Sequence, residues 1–87
     1  MAEGSALTFP CDFPIKMMGV DTPEFRGLAR TLVENHTGEL ADNAVQATTS
    51  RNGRFVSVTV RITALSQQQL DDIYRDVSSH ADVLMAL

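Results

Sequence analysis

Catalysis or ligand binding needs a nucleophile beside a base, a metal shell, or a cradle for an anion, and this chain offers few residues that could build one. His36 and His80 lie in different halves of the sequence, and neither has a cysteine, serine or carboxylate beside it in a nucleophile pattern. Cys11 is the single cysteine; without a second thiol or neighbouring ligands it forms no internal disulfide and marks no structural metal site. Asp71, Asp72 and Asp76 share a short span but read as the solvated face of a helix, since a metal needs oxygen ligands converging from a loop. The glycines are isolated, so there is no glycine-rich phosphate loop. No catalytic residue, metal ligand or cofactor site is assigned, and the expectation is a protein that is not an enzyme.

One stretch does combine the features of a site. In KMMGVDTPEF, Lys16 to Phe25, a short apolar run ends on a glycine, and Asp-Thr-Pro then stands before an amphipathic segment. A glycine lets a ligand approach the backbone, and free N–H groups at a helix start attract a carboxylate. The candidate ligand-binding residues are therefore Met18, Gly19, Val20 and Asp21. Two features favour a plain bend instead. Pro23 lacks an N–H, and Asp21 and Glu24 put negative charge where a carboxylate would sit. On that reading Gly19 supplies an unusual φ and Thr22 completes the helix cap.

The elements that would position these residues follow from periodicity. Phe13, Ile15 and Met17 alternate with Pro14, Lys16 and Met18, which predicts a first strand. Thr22 as cap, Pro23 at the first position and Glu24 near the positive dipole end predict a helix. Its stripe is Phe25, Leu28, Ala29, Leu32, Val33 and His36, with Gly38 as the stop. His36, at the edge of that stripe near the helix end, reads as a packing residue. Asn43 to Arg51 predicts a weaker strand, joined through Asn52-Gly53, a pair suited to tight hairpins because both residues tolerate positive φ. Val56, Val58, Val60 and Ile62 then alternate with Phe55, Ser57, Thr59, Arg61 and Thr63 as the clearest strand. Ser66 with Gln69 forms a capping-box pattern before the stripe Leu70, Ile73, Tyr74 and Val77. Val83, Met85 and Leu87 alternate to the end.

Strand, helix, strand, strand, helix, strand with a central hairpin predicts a ferredoxin-like βαββαβ sandwich. Two right-handed crossovers place both helices on one face of a four-stranded antiparallel sheet. Residues 1–12 read as a flexible arm, with Phe9 and Phe13 pinning its end, and residues 13–87 as one domain. The other sheet face stays open and displays Lys16, Met18, Phe55, Ser57, Thr59, Arg61 and Leu84; of these, Lys16, Met18, Phe55, Arg61 and Leu84 are the candidate interaction face.

Composition narrows the partners. The 87 residues are 44% hydrophobic and 21% charged with a net charge of −4, an ordinary globular balance without long-range attraction to phosphate backbones. A base-stacking sheet needs paired aromatics and a basic surround; the open face has Phe55 alone, so nucleic acid is disfavoured. A small core is compatible with a homodimer. No signal peptide or membrane span is read, and the lone thiol fits a reducing, cytoplasmic setting.

FPCDFPIKMMG, the Asn-Gly-Arg-Phe-Val-Ser-Val-Thr strand, the Tyr74 helix and the closing Val83-Leu84-Met85-Ala86-Leu87 together resemble the YbeD-like family, from about Leu7 to Leu87. The resemblance implies a ferredoxin-like fold close in shape to ACT regulatory domains and an uncharacterised bacterial protein with no assigned reaction. In ACT-like domains the turn after the first strand receives a small effector at a subunit interface. The resemblance thus implies a regulatory, small-ligand-binding module; the open sheet face leaves a protein-interaction adaptor as the alternative and a weak RNA binder behind both.

Overall fold

The computed structural model describes residues 7–87. It contains β1 (Cys11–Val20), α1 (Pro23–Thr37), a single 3-10 turn (Asp42–Ala44), β2 (Val45–Thr49), β3 (Phe55–Ala64), α2 (Gln67–Ser79) and β4 (Met85–Ala86). The sheet order is β2-β3-β1-β4 and every pairing is antiparallel. Both helices lie on one face, which makes this the expected ferredoxin-like α+β sandwich.

The central pair, β1 on β3, runs ten residues in unbroken register from Cys11 opposite Ala64 to Val20 opposite Phe55. Strand side chains alternate between faces, so Ile15 and Met17 fall on the same side as Val56, Val58, Val60 and Ile62. All six are buried. From above, Phe25, Ala29 and Val33 of α1 and Leu70, Ile73 and Val77 of α2 close the same core. Area removed from water here, at roughly 25 cal/mol per Å², is the main driving force of the fold.

Local chemistry sets the helix ends. Thr22 adopts extended backbone geometry and its hydroxyl accepts the Phe25 N–H at 3.1 Å, with Pro23 at the first helical position. Gly38 ends α1 at φ 83°, a left-handed conformation that side chains resist. Ser66 caps α2 by accepting the Gln69 N–H at 3.1 Å. The reciprocal half of the box differs from its usual form. Gln69 Oε1 accepts the N–H of Leu65 at 2.8 Å, and its amide nitrogen donates to the His36 carbonyl, joining the start of α2 to the end of α1.

Four details depart from the periodicity. β1 begins at Cys11, so Cys11 and Asp12 belong to the sheet rather than to an arm; residues 1–6 of that arm lie outside the described residues. Phe9 and Phe13 do pack against the core. β2 is five residues, not nine, and of its alternating set only Val45 packs on the core. The hairpin is wider than a two-residue turn. Ser50 closes it by donating its N–H to the Phe55 carbonyl at 2.8 Å and accepting the Phe55 N–H on Oγ, leaving 51–54 as the loop. Gly53 alone has positive φ, 73°, while Asn52 works through its side chain, accepting from Ser50 Oγ and the Arg54 N–H.

β4 brings the fourth departure. Met17 pairs with Ala86 and Met18 with Met85. Because paired residues share a face, Ala86 turns to the core and Met85 to the open side, the reverse of the expected alternation. Val83 and Ala86 pack inward, whereas Leu84, Met85 and Leu87 are exposed.

Candidate functional site

The turn from β1 to α1 borders a cleft of about 240 Å³, lined by Val20, Thr22, Phe25, Ala81, Asp82 and Leu84. That is below the roughly 300 Å³ at which pockets for drug-sized ligands begin. Of the four candidate ligand residues, Val20 alone lines it. Met18 sits half-buried on the open sheet face, and its carbonyl accepts the Leu84 N–H at 2.8 Å. Asp21 is already engaged: Oδ1 accepts from Arg26 at 3.1 Å, Oδ2 from Thr49 at 3.4 Å, and its N–H donates to the Arg54 carbonyl at 2.9 Å.

Gly19 has a different reason to be glycine from the one its sequence position suggests. Its φ is not positive. Instead, the Phe25 ring lies where a β-carbon would be: an added Cβ would stand 2.4 Å from Phe25 Cε1, far inside contact distance. The glycine admits a core aromatic ring, and a ligand finds that space filled. Ala81, Asp82 and Leu84 complete the cleft from a turn more than fifty residues away in sequence, and no local pattern signalled them.

Lys16, Met18, Phe55 and Arg61, four of the five candidate interaction residues, do share the open sheet face. Pairing sets Val20 against Phe55, Met18 against Ser57, Lys16 against Thr59 and Pro14 against Arg61. Leu84 does not join them; it lines the cleft with Phe25, and Met85 takes the place beside Met18. Of the large hydrophobics exposed among the described residues, Val20 (50%), Leu84 (56%), Met85 (51%) and Leu87 (70%) gather around β4 and the adjoining end of β1.

The titratable groups singled out in the sequence lie in separate places, and most of them have structural partners. His36 Nε2 pairs with Asp76 across the helix layer, tying α1 to α2. His80 caps α2, and its Nδ1 accepts the Asp82 N–H at 3.1 Å. Cys11 is half-buried in β1. Asp71 accepts from Gln67, and Asp72 from Gln68 and Arg75. Among the described residues no group of three or more His, Cys, Asp or Glu is disposed to hold a metal ion. No helix of the described residues is long and apolar enough to cross a membrane.

The densest polar cluster is a clamp on the α1–β2 connection. Arg30 donates to Glu34 at 3.0 Å, to Asp42 at 2.9 Å and to the Leu40 carbonyl, while Glu34 Oε2 accepts the Leu40 N–H at 2.8 Å. The Leu40 N–H, helped by the Arg30 guanidinium, holds the Glu34 carboxyl below its ordinary 4.5. Hydrogen bonds to Asp42 and Glu34 raise Arg30 above its usual value. This cluster was missed in the sequence; the spacing Arg30 to Glu34, one helical turn, is a signal that finds the first pair, whereas Asp42 and Leu40 have none.

The family model described as a protein of unknown function, DUF493, matches residues 5–87. A UPF0250 protein of Paraburkholderia phytofirmans is 41% identical over 83 residues, covering 95% of this chain and 93% of that one. A UPF0250 protein of Nitrosomonas europaea is 37% identical over 87 residues and matches both chains end to end. The solution structure of protein HP0495 from H. pylori superposes with a TM-score of 0.70 over 99% of this chain and 90% of its own. At 15% identity that likeness speaks for the fold alone. The family expected from the sequence, YbeD-like, is corrected by these matches, whose descriptions are DUF493 and UPF0250. The chain belongs to the DUF493 family of proteins of unknown function.

Proposed function

We propose that this chain is a non-catalytic protein-interaction module that works through its open sheet face and the adjoining β4 edge. The observation that carries this reading is the gathering of Val20, Met85 and Leu87 at one side of the sheet, next to half-buried Met18 and Phe55. Single exposed apolar residues are normal on any surface, but a contiguous set on a flat sheet face is what a protein partner can cover. The opposite side of the molecule is closed by the two helices, several of whose polar side chains pair with one another.

A small-ligand reading keeps one observation in its favour, the cleft at the β1–α1 turn where ACT-like domains take their effector. Its walls weigh against a carboxylate ligand, because Asp82 is among the lining residues and no basic residue is. A thermal-shift screen of the native protein separates the two, since a ligand that binds only the folded state raises its melting temperature by mass action. The interaction module gives no shift across amino acids, nucleotides and cofactors, and Met85→Asp abolishes retention of its partner while leaving the melting temperature unchanged. A metabolite that stabilises the wild type but not a Leu84→Trp variant, whose cleft is filled, would replace this proposal with a ligand sensor.

A further inference from the structure

The open sheet face differs from the rest of the molecule in the sign of its charge. Across the four strands and the 51–54 loop, the basic residues are Lys16, Arg51, Arg54 and Arg61, and Asp12 is the one acidic residue. On the helices and the remaining described connections the balance reverses: Asp21, Glu24, Glu34, Glu39, Asp42, Asp71, Asp72, Asp76 and Asp82 outnumber Arg26, Arg30 and Arg75, and each of those three arginines is ion-paired. An acidic protein thus carries a basic sheet.

Position refines this. Along the face, Val20, Phe55, Met18 and Met85 form an apolar end, and the Lys16 and Arg61 pairs follow at the next two levels. With a rise of roughly 3.3 Å per residue, the charges lie about 7–13 Å from the Met18 level. Lys16 is the only lysine of the chain and is exposed; Arg61 is also exposed, and its ion pair, to the exposed Asp12, is long at 3.8 Å.

Resting on the interaction-module reading above, we infer that the partner of this face is an acidic protein segment, with an apolar anchor that covers Met18, Phe55 and Met85 and carboxylates a few residues away that meet Lys16 and Arg61. Charge complementarity chooses this occupant over the others. Two copies placed face to face would set Lys16 and Arg61 against their own kind, and like charges brought together across an interface are costly. A copy that offered its acidic helix layer instead would make a head-to-tail contact, which does not close and grows into chains. Single-stranded RNA wants flat stacking surfaces, and the apolar end provides one aromatic ring among aliphatic and thioether groups.

The test titrates isotope-labelled protein with three defined probes: a twelve-residue peptide of Leu-Phe-Leu followed by glutamates, the same peptide with glutamine for every glutamate, and a ten-nucleotide oligouridylate. The acidic peptide shifts the amide resonances of Lys16, Met18, Thr59 and Arg61, and carbodiimide coupling joins its carboxylates to Lys16. Its affinity falls about tenfold or more in Lys16→Gln/Arg61→Gln, whose exposed positions leave melting temperature unchanged, and also falls with added salt. Equal binding of the glutamine peptide to the same resonances would overturn the acidic partner and leave the interaction face standing. No shift on the face from either peptide would overturn both. Tighter binding of oligouridylate, or concentration-dependent association of the free protein through α2 and the sheet, would replace the inferred occupant with RNA or with a second copy.

Discussion

β1–β3 and β4 occupy neighbouring places in one sheet and are held by different means. The central pair is ten residues long, dry on one side and closed by both helices, so each inward residue is fixed by neighbours on every side. β4 is two residues long and hangs on β1 by a few main-chain bonds: Leu87 N–H to the Lys16 carbonyl at 2.8 Å, and Leu84 N–H to that of Met18 at 2.8 Å. Its other anchors are the Tyr74 hydroxyl, which donates to the Leu87 carbonyl, and the partly buried Val83 and Ala86 side chains. The difference teaches that in a domain this small, burial builds the centre while single polar contacts place the edge. The edge then keeps apolar side chains in reach of a partner.

The comparison is sharpest where side chains are truncated. Ile15→Ala in the central pair costs about 2–5 kcal/mol in urea unfolding, the usual loss for a buried aliphatic side chain. Met85→Ala stays within about 0.5 kcal/mol. Comparable losses at both sites would break the contrast. Gly19→Ala comes next. Its methyl collides with the Phe25 ring, and overpacking of this kind costs about 1–3 kcal/mol. Combining it with Phe25→Leu recovers part of the loss in a double-mutant cycle, whereas strict additivity would mean that the ring is not what excludes the methyl.

Tyr74→Phe removes one hydrogen bond, worth about 0.5–1.5 kcal/mol. The informative readout is local: amide exchange at Leu84 and Leu87 accelerates while that at Val58 and Val60 holds. Uniform acceleration would mean that edge and centre open as one unit. The smallest effect is electrostatic. Glu34 is depressed in the fold, so its contribution is fully present above the unfolded glutamate value and fades as pH falls through the lower, folded one. Glu34→Gln therefore flattens the acid limb of the stability profile below about pH 4.5 and, at neutral and alkaline pH, lowers stability by an offset that does not change with pH. An unchanged acid limb would remove Glu34 from the clamp.

The same contrast governs what could be read from the chain. Val56 to Ile62 alternate with polar residues, so one face is marked and the strand and its burial are legible. Thr22, Ser66 and Gly38 sit where helix ends require them. Val83-Leu84-Met85-Ala86-Leu87 has no polar residue to mark an outer side, and its facing is decided by the Met17–Ala86 pairing, sixty-nine residues apart. Gly19 was legible as a special residue but not as the seat of a phenyl ring, because that contact forms only when α1 docks. The candidate site was half legible. Lys16, Met18, Phe55 and Arg61 were placed together by alternation alone, whereas Leu84 belongs to a cleft that tertiary packing creates.

The Arg30 clamp has a practical corollary for anyone handling this protein. The stretch 38–44, which includes the 3-10 turn, is the longest connection between helix and strand among the described residues, the obvious spot for a protease to nick or an engineer to splice, yet its carbonyl and amide at Leu40 are stitched to α1. The shorter 51–54 loop is fastened mainly through its own Ser50 and Asn52. Limited digestion should start at the short loop, and new termini or reporter insertions belong there.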